Sequence, residues 1–420
     1  MKYQKIFISL VLASGFAACS QMEEDMAAGL DPASEAVENA AFIGGNSDVE
    51  IRLASRGAAT RAIVNPVDGD GNFETTDGIG VFMLATDITT VNPEANPILW
   101  KEYNDGQRHA KTIVLNNVQS NAVINTSETP NITNIVWTDG AVRYYPIDNW
   151  YAFRFYGYHP YQNDARVTVT DNELVTVSFP EASIDGSYDI LYGQSKKADS
   201  GEPEKWRYSA KYIRRTGDTD LPQLKFKHKL MAFQFKVEGV PDYNGSYDDV
   251  NKLTVTGLTV GNVPSGDATL TLANRSNMRA NDATAAPTTA SEEGYLSFNW
   301  NNGYRTLSVK KDGNANLDMQ IVASATSEPQ ECGDMLLLPV PPASQNHLYT
   351  VDINMHFDDG SATGVDFGTD VPIQLHFADA FEEGKKYVVT LQIAGPQQIQ
   401  VNATLEDWVD GTESTPIELN

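Results

Sequence analysis

Tyr349-Thr350-Val351-Asp352-Ile353-Asn354-Met355-His356-Phe357-Asp358-Asp359-Gly360 is the stretch that decides the fold class. Tyr349, Val351, Ile353, Met355 and Phe357 alternate with polar residues up to an Asp-Asp-Gly turn. A period of two is that of a strand with one face buried, and the turn residues end it. Short runs of the same kind recur on both sides. Toward the N-terminus they cover residues 335–338, 319–322, 270–272, 253–260, 174–179, 151–158 and 78–84; toward the C-terminus they cover 387–393 and 399–405, parted by Gly395-Pro396. Almost no segment keeps a helical period over three turns. The chain is therefore predicted to be all-β, with antiparallel sheets packed face to face as sandwiches.

At 420 residues, 41% of them hydrophobic, the chain is long enough for two domains. The boundary is predicted between Pro222 and Gln223, after the charged loop 217–220, giving a first sandwich over 62–222 and a second over 223–420. Just beyond it Phe226, His228 and Leu230 hold even positions, whereas Phe233, Phe235 and Val237 hold odd ones. Such a change of parity would turn half of these side chains to water, so a β-bulge or bend is expected around Met231-Ala232. His228 then points inward, as a hydrogen-bonded core residue rather than a ligand.

The first residues describe an address. Lys2 and Lys5 precede an apolar run over 6–18 that ends in Ala17-Ala18 directly before Cys19. The run is shorter than the ~20 residues a helix needs to span a bilayer, so residues 1–18 read as a lipoprotein signal peptide and Cys19 as the lipidated first residue. Several acyl chains, at ~0.8 kcal/mol per buried methylene, hold a protein to a membrane. The acidic run Ser20-Gln21-Met22-Glu23-Glu24-Asp25 that follows resembles an export tag for the outer leaflet of the outer membrane, which implies a lipid-anchored, surface-exposed protein of the cell outer membrane; the same run also suits any solvated tether. An ordinary secretory signal with a chance cysteine is the alternative. Residues 21–46, rich in Ala, Glu, Asp and Gly, suit a solvated tether.

A net charge of −26 excludes nucleic acid as an electrostatic partner, because counterion release needs clustered Lys and Arg. With Cys19 lipidated, Cys332 has no disulfide partner, and Glu331 and Asp334 beside it disfavour a thiolate. Phosphate-cradling glycine loops, zinc-protease helices and nucleophile elbows are absent from the sequence, so no catalytic residue, metal or cofactor is assigned. Residues 68–72 begin like a calcium loop, but Phe73 and Ile79 stand where that motif needs glycine and glutamate. The aromatic cluster from Tyr144 to Tyr161 fits a packed core or a sugar-stacking platform.

Val49, Ile51 and Leu53 alternate with Glu50 and Arg52 as a short strand, followed by a small-residue loop that carries Arg56 and Arg61. After it come Asp77-Gly78-Ile79-Gly80-Val81-Phe82, Tyr144-Tyr145-Pro146, Tyr158-His159-Pro160-Tyr161, Asp189-Ile190-Leu191-Tyr192-Gly193, Phe226-Lys227-His228-Lys229-Leu230 and Leu405-Glu406-Asp407-Trp408. In that order, behind Thr60-Arg61-Ala62 and a lipoprotein signal, they make the mature chain resemble the fimbrillin family of type V pilus proteins.

The resemblance implies two tandem transthyretin-like sandwiches and export as a lipidated precursor. It implies trimming by a trypsin-like, arginine-specific protease between Arg61 and Ala62, with Arg56 as the alternative. It further implies assembly with other fimbrial subunits by strand exchange. Residues 19–61 are then tether and propeptide, whose strand of Val49, Ile51 and Leu53 is removable. Ile399, Val401, Ala403 and Leu405 form a candidate C-terminal strand. The competing reading keeps 49–53 as a permanent first strand and Arg61 in an uncut loop. Beyond Trp408 only Val409, Ile417 and Leu419 are large and apolar, a poor donor tail that suits either an accessory or tip subunit or a subunit whose final strands swing out in place of the tail. A different function class, a surface lipoprotein that binds a host or glycan ligand, predicts solvent-facing rings among Trp100, Trp137, Trp150, Trp206 and Trp300.

Overall fold

The computed structural model describes residues 46–55, 75–88, 112–125, 132–146, 151–170, 174–195, 208–216, 222–277, 286–345, 348–368, 372–375, 380–395 and 398–407. Its first half consists of β1 (Asn46–Glu50), β2 (Leu53–Ser55), β3 (Thr75–Ile88), β4 (Ile113–Asn125), β5 (Ile132–Trp137) and β6 (Tyr144–Pro146). It continues with β7 (Tyr151–His159), β8 (Val167–Thr170), β9 (Leu174–Phe179), β10 (Leu191–Gln194), the helix α1 (Ala210–Thr216) and β11 (Gln223–His228). Hydrogen-bonded neighbours follow the order β10-β11-β2-β5-β4-β3-β7, and β7 pairs back with β10 to complete a closed path.

Space inside this ring is made by backbone. Gly157 of β7 and Gly193 of β10 are paired directly, and Phe226 of β11 stands opposite Gly193. A Cβ on Gly157 would lie 2.9 Å from the Phe226 ring, and one on Gly193 would lie 2.8 Å from it. Real Cβ atoms do not approach carbon so closely, so the two glycines are what admits the ring.

The outer face of β7 is covered as well, which alternation along 151–158 does not reveal. β9 pairs with β14 (Ala268–Asn274), and β14 with β15 (Leu296–Ser297), so a hairpin from the second half of the chain completes a sheet in the first. Tyr158 meets Phe179 edge to face at 6.0 Å, and the Tyr156 hydroxyl donates to Glu293 Oε1 at 2.8 Å. Residues 153–160 are consequently all buried, Arg154 included. Its guanidinium lies 3.2 Å from Glu293, donates to Gln194 and sits 5.2 Å from the centre of the Tyr156 ring. Glu293 also accepts the Asn274 amide at 3.1 Å.

The second unit is built from β12 (Met231–Gly239) and β13 (Leu253–Pro264) with their neighbours. β12 pairs in parallel with Lys385–Gly395, which pairs antiparallel with Gln398–Asp407. β13 pairs antiparallel with Thr350–Phe357 and Tyr304–Ser308. The predicted alternation in Thr350–Phe357 holds: Val351, Ile353 and Met355 are buried. Phe233 gathers Phe235, Tyr349, Phe381 and Tyr387 around it at 5.8–6.1 Å between ring centres. Two separate apolar cores result, and the chain is all-β apart from α1 and a few short 3₁₀ turns among the described residues.

Two expectations at the junction need correction. Gln223–His228 does not open the second unit but pairs with β10 and β2 of the first, so the chain changes unit after His228, not at Pro222. The parity change arises there too. Of the bulge or bend expected around Met231-Ala232, the chain has the bend, two residues earlier: one strand ends at His228 and another begins at Met231 in a different sheet, with Lys229 and Leu230 buried between them. His228 is buried, as expected, and hydrogen-bonds Asp189. Further bonds tie the units: Lys310 reaches Asp185 at 3.2 Å, and the Leu337 amide donates to the Gly186 carbonyl at 2.8 Å.

Removing one partner of a buried ion pair strands the other charge. Glu293→Leu is expected to lower stability by about 3–5 kcal/mol in urea unfolding, while Arg154→Met combined with Glu293→Leu recovers most of the loss. A loss below about 1 kcal/mol in the single variant would show that the pair does not hold the hairpin in place.

Candidate functional site

The candidate site is the place that the N-terminal segment fills. β1 runs antiparallel to β6, with Asn46 opposite Pro146 and Glu50 opposite Tyr144. The Ser47 hydroxyl donates to the Tyr145 carbonyl at 2.8 Å and accepts the Val49 amide at 3.2 Å. Pairing lapses at Ile51 and Arg52, although the Ile51 amide still donates to the Arg143 carbonyl at 2.8 Å. The expected strand over Val49–Leu53 is thus two strands with a break between them.

β2 resumes the pairing with neighbours on both sides. Leu53, Ala54 and Ser55 lie opposite Ile135, Asn134 and Thr133 of β5, antiparallel. Ala54 and Ser55 also pair with Gln223 and Leu224 of β11, in parallel, and the Ala54 amide donates to the Pro222 carbonyl at 3.0 Å. Ile51 is 1% exposed and Leu53 3%, both in the first core, with Val49 half-buried against it. At about 1.5–3 kcal/mol per fully buried large apolar side chain, Ile51 and Leu53 are the main apolar anchors of this segment.

A row of rings lines the floor. Tyr145 meets Phe155 at 6.3 Å, Phe155 meets Tyr208 at 5.9 Å, and Tyr208 meets Tyr212 of α1 at 6.4 Å, each edge to face. Burial pushes the Tyr145 phenol well above its ordinary pKa, and its oxygen has no hydrogen-bond partner among the described residues. Charges sit at the rim. Arg143 binds Asp139 through two nitrogens at 3.0 and 2.7 Å and lies 5.1 Å from the Trp137 ring centre. The guanidinium holds the Asp139 carboxyl well below the usual carboxylate range. On the other side Arg214 of α1 pairs with Asp48 of β1 and lowers that carboxyl as well. Sequence reasoning did not single out Arg214, because 166 positions separate it from its partner.

The remaining site residues lie elsewhere in the sequence. Cys19, Arg56, Arg61 and Ala62 lie outside the described residues, as do residues 68–72. Ile399, Val401, Ala403 and Leu405 lie opposite Ile393, Leu391, Val389 and Tyr387, in the strand that ends its sheet among the described residues. Trp137 lies under the Arg143 guanidinium and Trp300 packs on Phe298 at 6.1 Å, both half-buried; Trp100, Trp150 and Trp206 lie outside the described residues. Cys332 is buried, and that burial pushes its thiol up to about 12. No cluster of three or more metal-ligating side chains occurs among the described residues.

Residues 60–408 match the model of a family described as fimbrillin-like. No curated protein matches the chain in sequence. Similar solved structures include a candidate cell adhesion protein from Bacteroides uniformis, at 17% identity and a TM-score of 0.42, covering 86% of this chain and 97% of that one. A fimbrial protein from Bacteroides vulgatus is 16% identical with a TM-score of 0.43, covering 79% and 92%. A fimbrial assembly protein from Parabacteroides distasonis is 9% identical with a TM-score of 0.37, covering 86% and 96%.

Two outcomes follow from this geometry. Leu53→Ala in the intact chain is expected to lower stability by about 2–5 kcal/mol in urea unfolding, since Leu53 is enclosed by the first core; a loss near zero would place the segment outside it. A thiol with a raised pKa stays protonated at pH 8, so Cys332 should resist thiol reagents there until the protein is unfolded; fast labelling of the native chain would contradict its burial.

Proposed function

Because this chain belongs to the fimbrillin-like family, we propose that it is a structural or adhesive fimbrial subunit of the cell surface, exported as a lipoprotein, trimmed after Arg61 and joined to its neighbours by strand exchange. The observation that carries this reading is the position of β2 between β5 and β11. Removing β2 leaves two strands with unpaired backbone along a gap in the ring, and such a gap recruits a replacement strand. Arg61 and Arg56 both lie between Ser55 and Thr75, so a cut at either severs the covalent link between the inserted segment and the rest of the fold.

What a cut changes is concentration. While the link is whole, β2 faces its slot at an effective concentration on the order of millimolar. Once the link is broken the segment leaves on dilution, and a strand with more buried apolar side chains displaces it. Ladder hydrogen bonds at about 1 kcal/mol apiece and inward side chains at about 1.5–3 kcal/mol then hold a joint without a covalent bond. Units of the transthyretin-like kind, a lipid on Cys19 and an arginine-specific surface protease complete the reading.

Treatment of the purified chain with an arginine-specific protease is expected to expose Ala62 as a new N-terminus and to yield denaturant-resistant oligomers, alone or with a partner subunit added. Arg61→Gln should block both changes. A chain that is cut after Arg61 yet stays monomeric with every fimbrial partner supplied would overturn the proposal.

A further inference from the structure

We infer that Arg214 selects the strand that fills this slot, favouring a partner subunit whose strand carries a carboxylate where Asp48 now stands, three residues before the first of two alternating apolar side chains. The inference rests on the slot reading proposed above and adds the chemistry of the partner.

Arg214 is well placed for the role. Its helix is fixed to the floor of the slot: Tyr212 and Ile213 are buried in the first core, and Tyr212 closes the aromatic row that runs through Tyr208 and Phe155 to Tyr145. The guanidinium is therefore presented at a set point along the strand path. The pair itself is solvent-facing, Arg214 being 53% and Asp48 82% exposed, so it adds little to folding stability. A rim charge of this kind acts instead on which partner arrives and in which register.

The other arginine at the rim differs in one respect. Arg143 is engaged by Asp139 and Trp137, which belong to the same stretch of chain and stay when the N-terminal segment goes. Asp48, the ion-pair partner of Arg214 among the described residues, leaves with the segment. In a chain of net charge −26, that departure leaves a cation at the edge of an empty apolar slot. An incoming carboxylate restores the pair, while a lysine or arginine at that position meets like charge. Because strand register changes in whole residues, the acid also marks the register that buries the apolar pair.

This chain's candidate C-terminal strand and tail do not meet the requirement when laid in the slot in the direction of residues 46–55. If Ala403 and Leu405 take the places of Ile51 and Leu53, Gln400 falls where Asp48 was; if Val401 and Ala403 do, Gln398 falls there. Ile417 and Leu419 bring Ser414. The preferred donor is thus a different subunit rather than the C-terminal segment of a second copy.

The test uses the full chain nicked at Arg61 and two fluorescent peptides, residues 46–55 and the same peptide with Asp48→Lys. Incorporation into the slot is measured at low and high salt. The Asp48→Lys peptide is expected to bind about two- to five-fold more weakly, the order should reverse in the Arg214→Glu protein, and both differences should fade at about 1 M salt. Equal incorporation of the two peptides in both proteins would overturn the role of Arg214 while leaving the slot intact. Incorporation of neither peptide would overturn the slot reading and this inference together.

Discussion

A three-residue strand holds the first unit closed. Leu53, Ala54 and Ser55 are bonded to β5 on one side and β11 on the other, and among the described residues no second ladder joins those two strands. Backbone N–H and C=O groups that lose a partner inside a protein cost free energy comparable to a lost hydrogen bond, so the ring needs some strand in this place. It does not need this particular one. Ile51 and Leu53 supply most of the apolar grip, two arginines follow the segment in sequence, and a row of rings shares the same core. Short length and modest side-chain burial are what make exchange feasible.

The ring is also braced from outside. The β14–β15 hairpin lies against β7 and β9, and Glu293 carries a charge into contact with Arg154 where neither meets water. A buried pair of this kind is seldom the most stable choice, since a hydrophobic replacement often serves as well. Its geometry instead ties this one hairpin to β7. The loop from Glu181 to Ile190 repeats the theme through Asp185 with Lys310 and Gly186 with Leu337. These contacts join the two units without involving residues 46–55.

Alternation made most of the second unit legible, because Leu253–Pro264, Thr350–Phe357 and Lys385–Gly395 each bury one face. It failed where burial is two-sided, as along Tyr151–His159, and where strands are polar, as in β4, which carries Asn116-Asn117 and Ser120-Asn121 and turns at Asn117 with a φ of 49°. Parity around His228 flagged a discontinuity correctly, but a period of two cannot tell a bulge from a change of sheet. Nor does it say which sheet a hairpin joins, so the migration of β14 into the first unit left no local trace. At the candidate site Ile51 and Leu53 were readable from spacing alone. Arg214 was not, since only the tertiary fold brings α1 beside β1.

The account stands or falls on whether the N-terminal segment is a replaceable part of the ring. Hydrogen exchange read by mass spectrometry, on the intact chain and on the chain nicked at Arg61 and washed free of its N-terminal fragment, addresses this directly. The account predicts faster exchange confined to Ile132–Trp137, Tyr144–Pro146 and Gln223–His228 after release, with the second unit unchanged and protection regained when a strand is supplied. Unchanged protection of those strands with the fragment gone, or loss of protection throughout both units, would contradict it.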